Sequence, residues 1–158
     1  MGFMIDVILR LLGVKSNLLP EQTRKLCTEL FGMAESKIQI VSGNLAKDFY
    51  TDGSIGGALA KSKASVEIVY GPGADEESKR VLSGLRPNGR VKLYEHPTPI
   101  QGHFMIVDGK HARVEAGHHP KQEERRAFIK YNTFFLSGRL AEEFNRLKAE
   151  SRPNESSF

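Results

Sequence analysis

Apolar positions fall along the chain in short blocks, and the period inside each block switches between helical and extended spacing. Met4, Val7, Ile8, Leu11 and Leu12 recur at helical spacing, which predicts an amphipathic helix over residues 1–14. That helix is read as packing on the core or on a second copy, with weak contact to a membrane surface as the alternative. Asp6 and Arg10 break the run, which is far shorter than the roughly 20 residues of a span, so no integral membrane association is expected. The start also lacks the basic residues and the small-residue cleavage site of a signal peptide.

A turn is expected over Lys15 to Leu19, after which Pro20 opens a helix. Leu26, Leu30 and Phe31 form its apolar face, and it stops near Gly32 to Ala34. Lys37 to Val41 reads as a strand with Ile38 and Ile40 on one side, and Ser54 to Ser62 as a helix rich in small residues, packed closely on a sheet. Val66 to Tyr70 is a strand ended by Gly71-Pro72-Gly73, Ala74 to Leu85 a charged amphipathic helix, and Val91 to Tyr94 a short strand. Phe104 to Val107 is continuously apolar, as a strand buried on both faces would be. Asp108-Gly109 makes a tight turn into a strand over His111 to Val114.

Glu115 to Arg126 is polar and reads as an exposed loop, with its charged part, Lys121 to Arg126, a solvated run or the lining of a cleft mouth. Ala127 to Leu136 has strand composition, and Arg139 to Lys148 is an amphipathic helix. Strands alternating with helices predict an α/β domain: a mixed sheet sandwiched by helices. The expected organisation is an N-terminal helical segment (1–34) packed on or next to the domain, the domain itself (35–150), and a flexible tail (151–158). No internal repeat is visible.

Composition narrows the functional classes. A chain of 158 residues suits one domain that buries about two-thirds of its unfolded surface. Cys27 is the one cysteine, which excludes an intrachain disulfide and cysteine-based zinc sites, and a cytoplasmic location is expected. Net charge is +4 and the isoelectric point about 9.2, with dispersed basic residues, a balance that favours phosphate-rich partners. His96, His111, His118 and His119 have no carboxylate at a convincing ligand spacing, so no metal and no cofactor is expected.

The segment Gln101-Gly102-His103-Phe104-Met105-Ile106-Val107-Asp108-Gly109-Lys110 resembles the phospholipase D signature. That signature is a histidine, any residue, a lysine, four residues and an aspartate, within an apolar strand that ends in Asp-Gly-Lys. Ile38 to Leu45, Ile55 to Ser62 and Val66 to Tyr70 look like the family's opening strand, helix and strand. Tyr131 to Leu136 and Leu140 to Leu147 look like its closing strand and helix, so the resemblance spans about residues 36 to 148.

Anchored on the apolar run and Asp108, this register puts Gln101 at the family's histidine and His103 at its lysine. A second register begins the motif at His103 and requires Met105 for the lysine and Lys110 for the aspartate. The family's downstream Gly-Ser-x-Asn falls on Glu115, Ala116, Gly117 and His118, or, with a two-residue insertion, its glycine falls on Gly117; either way its serine and asparagine are missing. By resemblance one histidine would attack phosphorus, a second would protonate the leaving oxygen, and the lysine would offset charge on the equatorial oxygens. Glutamine can hydrogen-bond a phosphate oxygen but is neither a nucleophile nor an acid–base group near neutral pH.

Residues two apart on a strand share a face, so Gln101 and His103 are expected in one cleft, with His118 and Asn132 beside it and Asp108 supporting. Bland readings stand next to these. His103 can be a core histidine bonded to backbone, Gln101 a loop residue after Pro97-Thr98-Pro99, and Asp108 only a turn former. Short family members with one motif are mostly nuclease-like homodimers that build one site from two copies, which implies a homodimer here. Three functional classes follow: an impaired homodimer that binds a phosphodiester, with nucleic acid first; an active metal-independent phosphodiesterase using His103; and a non-catalytic protein-interaction scaffold.

Overall fold

The structure is a computed structural model that describes residues 13–85, 90–115 and 124–154. In chain order the elements are β1 (Val14–Leu18), α1 (Pro20–Met33), β2 (Lys37–Ser42), α2 (Lys47–Tyr50), α3 (Gly53–Lys61), β3 (Ser65–Tyr70) and α4 (Glu76–Gly84). They continue with β4 (Val91–Glu95), β5 (Phe104–Val107), β6 (His111–Glu115), β7 (Ala127–Lys130), α5 (Phe134–Glu150) and β8 (Arg152–Pro153). The amphipathic run over 1–12 and most of the loop over 115–126 lie outside the described residues.

All eight strands form one mixed sheet in the order β1-β7-β6-β5-β2-β3-β4-β8. β2, β3 and β4 run parallel; β5, β6, β7 and β1 continue from β2 by antiparallel pairing. The central strands are covered on both sides, hence their nearly unbroken apolar sequences. Ile38, Ile40, Ile68 and Met105 pack on one face against Leu26, Leu30 and Phe31 of α1 and Ile55 and Leu59 of α3. Val41, Val69, Phe104 and Ile106 pack on the other against Phe144 and Leu147 of α5. Each such side chain contributes about 2 kcal/mol by leaving water. The domain is therefore the α/β sandwich that the pattern predicts.

Local chemistry sets the boundaries. Asp52 caps α3 by accepting from the Ser54 amide at 2.9 Å, and Asp75 caps α4 by accepting from the Ser78 amide at 2.8 Å. Asp108 and Gly109 both have positive φ, and the Lys110 amide donates to the Val107 carbonyl at 3.1 Å, closing the β5–β6 hairpin.

Three local expectations are corrected, and one short helix was not expected. Lys15 to Leu19 is not a turn: Val14 to Leu18 is an edge strand paired with β7, and Leu18 is buried. Backbone pairing there needs no alternation in the exposed Lys15, which is why the pattern was silent. Ala127 to Leu136 is not one strand. Asn132 adopts a φ of 50°, the Thr133 hydroxyl accepts from the Leu136 amide at 3.4 Å, and Phe134 to Leu136 become the first turn of α5. The cap overrides the β-preference of the two phenylalanines. Lys47 to Tyr50 forms a short helix that no periodicity announced. Ser151 to Asn154 is not frayed, since β8 pairs with β4 and the Asn154 side-chain amide donates to the Tyr70 hydroxyl at 2.7 Å. Residues 14–34 likewise contribute a strand and a helix to the common sheet and core.

Candidate functional site

The sheet brings polar residues together at two opposite ends. At the first, β2 and β3 finish side by side and β5 begins. Gly43 and Gly71 follow β2 and β3, and the Gly71 amide donates to the Gly43 carbonyl at 3.0 Å. A Cβ on Gly71 would sit 2.8 Å from that carbonyl oxygen, and one on Gly43 would sit 2.6 Å from the Ile100 oxygen and 3.1 Å from His103 Cε1. Only glycine lets these three chain segments press together. His103 is held at this crest, 9% exposed, and its Nδ1 accepts the Gly43 N–H at 3.2 Å.

A backbone amide can only donate, so His103 Nδ1 presents its lone pair to Gly43 and the ring proton sits on Nε2. Attack on phosphorus needs the reverse arrangement: one ring nitrogen as N–H held by an acceptor, the other bare. His103 is arranged as a donor.

His103 lines a cavity of about 70 Å³, several times the space one water requires. Thr23 and Arg24 of α1, Ser42 at the end of β2 and Tyr50 of α2 form one wall. Arg113 and Glu115 of β6, with Arg125 and Arg126 ahead of β7, form the other. Burial pushes the Tyr50 hydroxyl up to about 12 despite a hydrogen bond with Ser42, so it stays a neutral phenol. Glu115 lies between two guanidinium groups, 3.8 Å from Arg113 and 3.7 Å from Arg125. These separations exceed hydrogen-bond length, and Arg113 Nε and Glu115 Oε1 are buried without a hydrogen-bond partner among the described residues. Four arginines and one glutamate line the cavity, with Arg24 also 3.9 Å from Asp52, a basic balance that attracts anions.

The opposite end holds Asp108, His111 and Asn132. Asp108 accepts the amides of Glu35, Ser36 and Lys37 at 2.9, 2.8 and 3.0 Å and the Ser36 hydroxyl at 2.9 Å. Desolvation pulls its carboxyl upward, but those donors outweigh it and hold it at about 2. It ties the β5–β6 turn to the start of β2. His111 Nδ1 accepts the Asn132 amide at 3.1 Å, and desolvation lowers its pKa.

Of the candidate site residues named from the motif, His103 is the one among the described residues that lines the cavity. Gln101 is exposed, precedes β5 and is not in the lining, so strand alternation does not pair it with His103. Asn132 and Asp108 sit at the far end, and His118 lies outside the described residues. His96 has its ring nitrogens against the Thr98 carbonyl and Glu150. No group of three or more His, Cys, Asp or Glu placed to hold a metal occurs among the described residues.

Sequence reading missed Arg113, Glu115, Arg24 and Tyr50 as a group. One signal was available. The tight Asp108-Gly109 hairpin sets Met105 opposite Arg113, so the charged residues of β6 fall on the side that His103 occupies. The arginines of the Lys121 to Arg126 run do reach the cavity.

No protein-family model matches the sequence, and no curated protein is similar to it at sequence level. Solved structures are. Nuc from Salmonella typhimurium, a phospholipase D family member, superposes with a TM-score of 0.71 at 18% identity over 90% of this chain and 98% of its own. NucT from Helicobacter pylori gives 0.62 at 14% identity over 89% of this chain and 98% of its own. TrmBL2, an archaeal chromatin protein that binds DNA, gives 0.68 at 11% identity over 96% of this chain, which spans 61% of that protein. With the strand order and the His103 cavity, these likenesses establish that the chain has the phospholipase D fold.

Proposed function

We propose that this chain is a phosphodiester-binding domain on a phospholipase D fold, impaired as a hydrolase, that works as a homodimer with nucleic acid as its ligand. The observation that carries the reading is His103, a hydrogen-bond donor fixed by the Gly43 amide within an arginine-lined cavity. Such a site suits holding a phosphate oxygen. It does not suit attack on phosphorus, and Gln101 offers no replacement nucleophile. The DNA binding of TrmBL2 supports nucleic acid over lipid. The homodimer reading rests on the single motif-bearing segment in a chain of the same length as Nuc and NucT.

The test pairs hydrolysis with binding. The full chain and His103→Ala are assayed in chelator with bis(p-nitrophenyl) phosphate and with single-stranded DNA, and binding is followed by anisotropy across a salt series. Expected are no turnover above buffer, binding that weakens steeply with salt, and affinity at least about fivefold lower in His103→Ala. Chelator-resistant turnover that disappears in His103→Ala would replace this reading with an active phosphodiesterase. Binding indifferent to salt and to the substitution would leave the scaffold reading. Sedimentation velocity tests the dimer.

A further inference from the structure

We propose that the corner between β7 and α5 docks on an anionic lipid surface. Phe134 and Phe135 are 72% and 83% exposed, the two most exposed large apolar side chains among the described residues. They occupy the first turn of α5, where consecutive residues project about 100° apart, so the rings form a two-pronged apolar wedge.

Cations surround the wedge. Lys130 ends β7, Arg139 lies one turn beyond Phe135 on the same helix face, and the Lys110 carbonyl accepts the Thr133 amide at 2.6 Å. Lys15 reaches over the Tyr131 ring, its Nζ 5.9 Å from the centroid. Three acids lie nearby among the described residues: Glu29, close enough to act on Tyr131, Asp108, whose oxygens are engaged by residues 35 to 37, and Glu35 itself. The corner is therefore cationic around an apolar tip, the complement of an anionic headgroup layer over hydrocarbon.

The Gly13 carbonyl accepts the Tyr131 amide at 2.7 Å, which ties the start of β1, and with it Lys15, to the same corner. The apolar wedge and the cations beside it are two signals of different kind. Reversible docking of a peripheral protein becomes stable when two weak signals act together. The corner lies at the end of the sheet away from His103, so it is distinct from the cavity and its test is independent of the phosphodiester reading. Stacking of nucleobases is disfavoured because a stacking platform needs a ring backed by protein, and these rings stand clear of it.

The chain has no tryptophan, so Phe135→Trp places a single reporter at the tip of the otherwise intact protein. It is titrated with phosphatidylcholine vesicles containing about 30% phosphatidylserine and with pure phosphatidylcholine. Expected are a blue shift and quenching by brominated acyl chains on the anionic vesicles, and little response on the neutral ones. In the wild-type background, Phe134→Ser with Phe135→Ser should cut partitioning about a hundredfold, tenfold for each ring, with an unchanged melting temperature. Lys130→Glu with Arg139→Glu should remove the preference for phosphatidylserine.

An absent blue shift on anionic vesicles overturns the proposal. So does emission already blue and shielded in plain buffer, which would mean that the chain or a second copy covers the corner. Unchanged vesicle partitioning of the double serine variant, with single-stranded DNA binding lost instead, assigns the wedge to nucleic acid and likewise overturns it.

Discussion

Glu115 is the residue whose change separates an anion-binding cavity from an ordinary buried ion pair. Its carboxylate sits 3.8 Å from Arg113 and 3.7 Å from Arg125, with the three side chains mostly shielded from solvent. At those separations each pair attracts by about 4 kcal/mol at an effective dielectric near 20, before desolvation is subtracted. Glu115→Gln removes a carboxylate charge from between Arg113 and Arg125, a loss that costs about 2–3 kcal/mol for a pair not wholly buried. For a chain of this size that lowers the melting temperature by about 5–10 °C. A bound polyanion should reverse much of the loss, because it takes the place of the carboxylate between the arginines.

The same substitution removes a negative charge from the lining of the cavity that would hold the phosphate. For charges about 5–6 Å apart the relief is about 1.5–3 kcal/mol at an effective dielectric of roughly 20–40, which is tenfold or more in affinity. The assay is a pyrophosphate titration at constant ionic strength, followed by calorimetry and thermal melting for wild type and Glu115→Gln. The variant should melt lower in chloride buffer, bind pyrophosphate more tightly and recover more of its melting temperature as it does so. An equal loss of melting temperature with and without pyrophosphate, or weaker binding by the variant, would refute the cavity as an anion site.

Further outcomes follow from other contacts. Gly43→Ala forces a Cβ to 2.6 Å from the Ile100 oxygen and should cost about 1–3 kcal/mol in urea unfolding, with a change in the His103 ring nitrogen NMR shifts. Unchanged shifts would mean that the Gly43 amide does not set the tautomer. Asp108 has a folded pKa of about 2, so its carboxylate adds stability that is complete above the ordinary value near 3.9 and is lost as pH falls through 2. After discounting for solvent screening of this half-exposed group, Asp108→Asn should cost about 1 kcal/mol at pH 7 and roughly half that at pH 3. A pH-invariant difference would contradict the hydrogen-bond origin of the shift. Asn154→Ala, losing its bond to the Tyr70 hydroxyl, should cost about 1 kcal/mol and raise amide exchange in β8, while leaving DNA binding unchanged.

Phospholipase D-like order was legible before any coordinates because buried strands and amphipathic helices differ in period. Phe104 to Val107, Val66 to Tyr70 and Leu140 to Leu147 each carry that difference locally. The expectation that a histidine–lysine pair is absent at 101 and 103 likewise rests on residue identity alone. Capped boundaries were less legible: Thr133 turns Phe134 and Phe135 into helix, and a one-residue cap outweighs their strand preference. The edge strand β1 and the pinned residues 152 to 154 were invisible, because edge pairing draws on backbone groups that every residue has.

The site divides along the same line. Chemistry available at a position is set by the side chain, so the sequence alone determined that residue 101 cannot act as the nucleophile and that 103 can donate to phosphate. What meets at a point in space depends on register and crossover. Only the tertiary structure brought Arg24, Tyr50, Glu115 and Arg125 around His103, and sent Asp108 and Asn132 to the other end of the sheet. The Gly43 amide that sets the His103 tautomer is 60 residues away in the chain. Such a contact follows from the return of the chain after β4, which pairs β5 antiparallel with β2, a relation that no local pattern encodes.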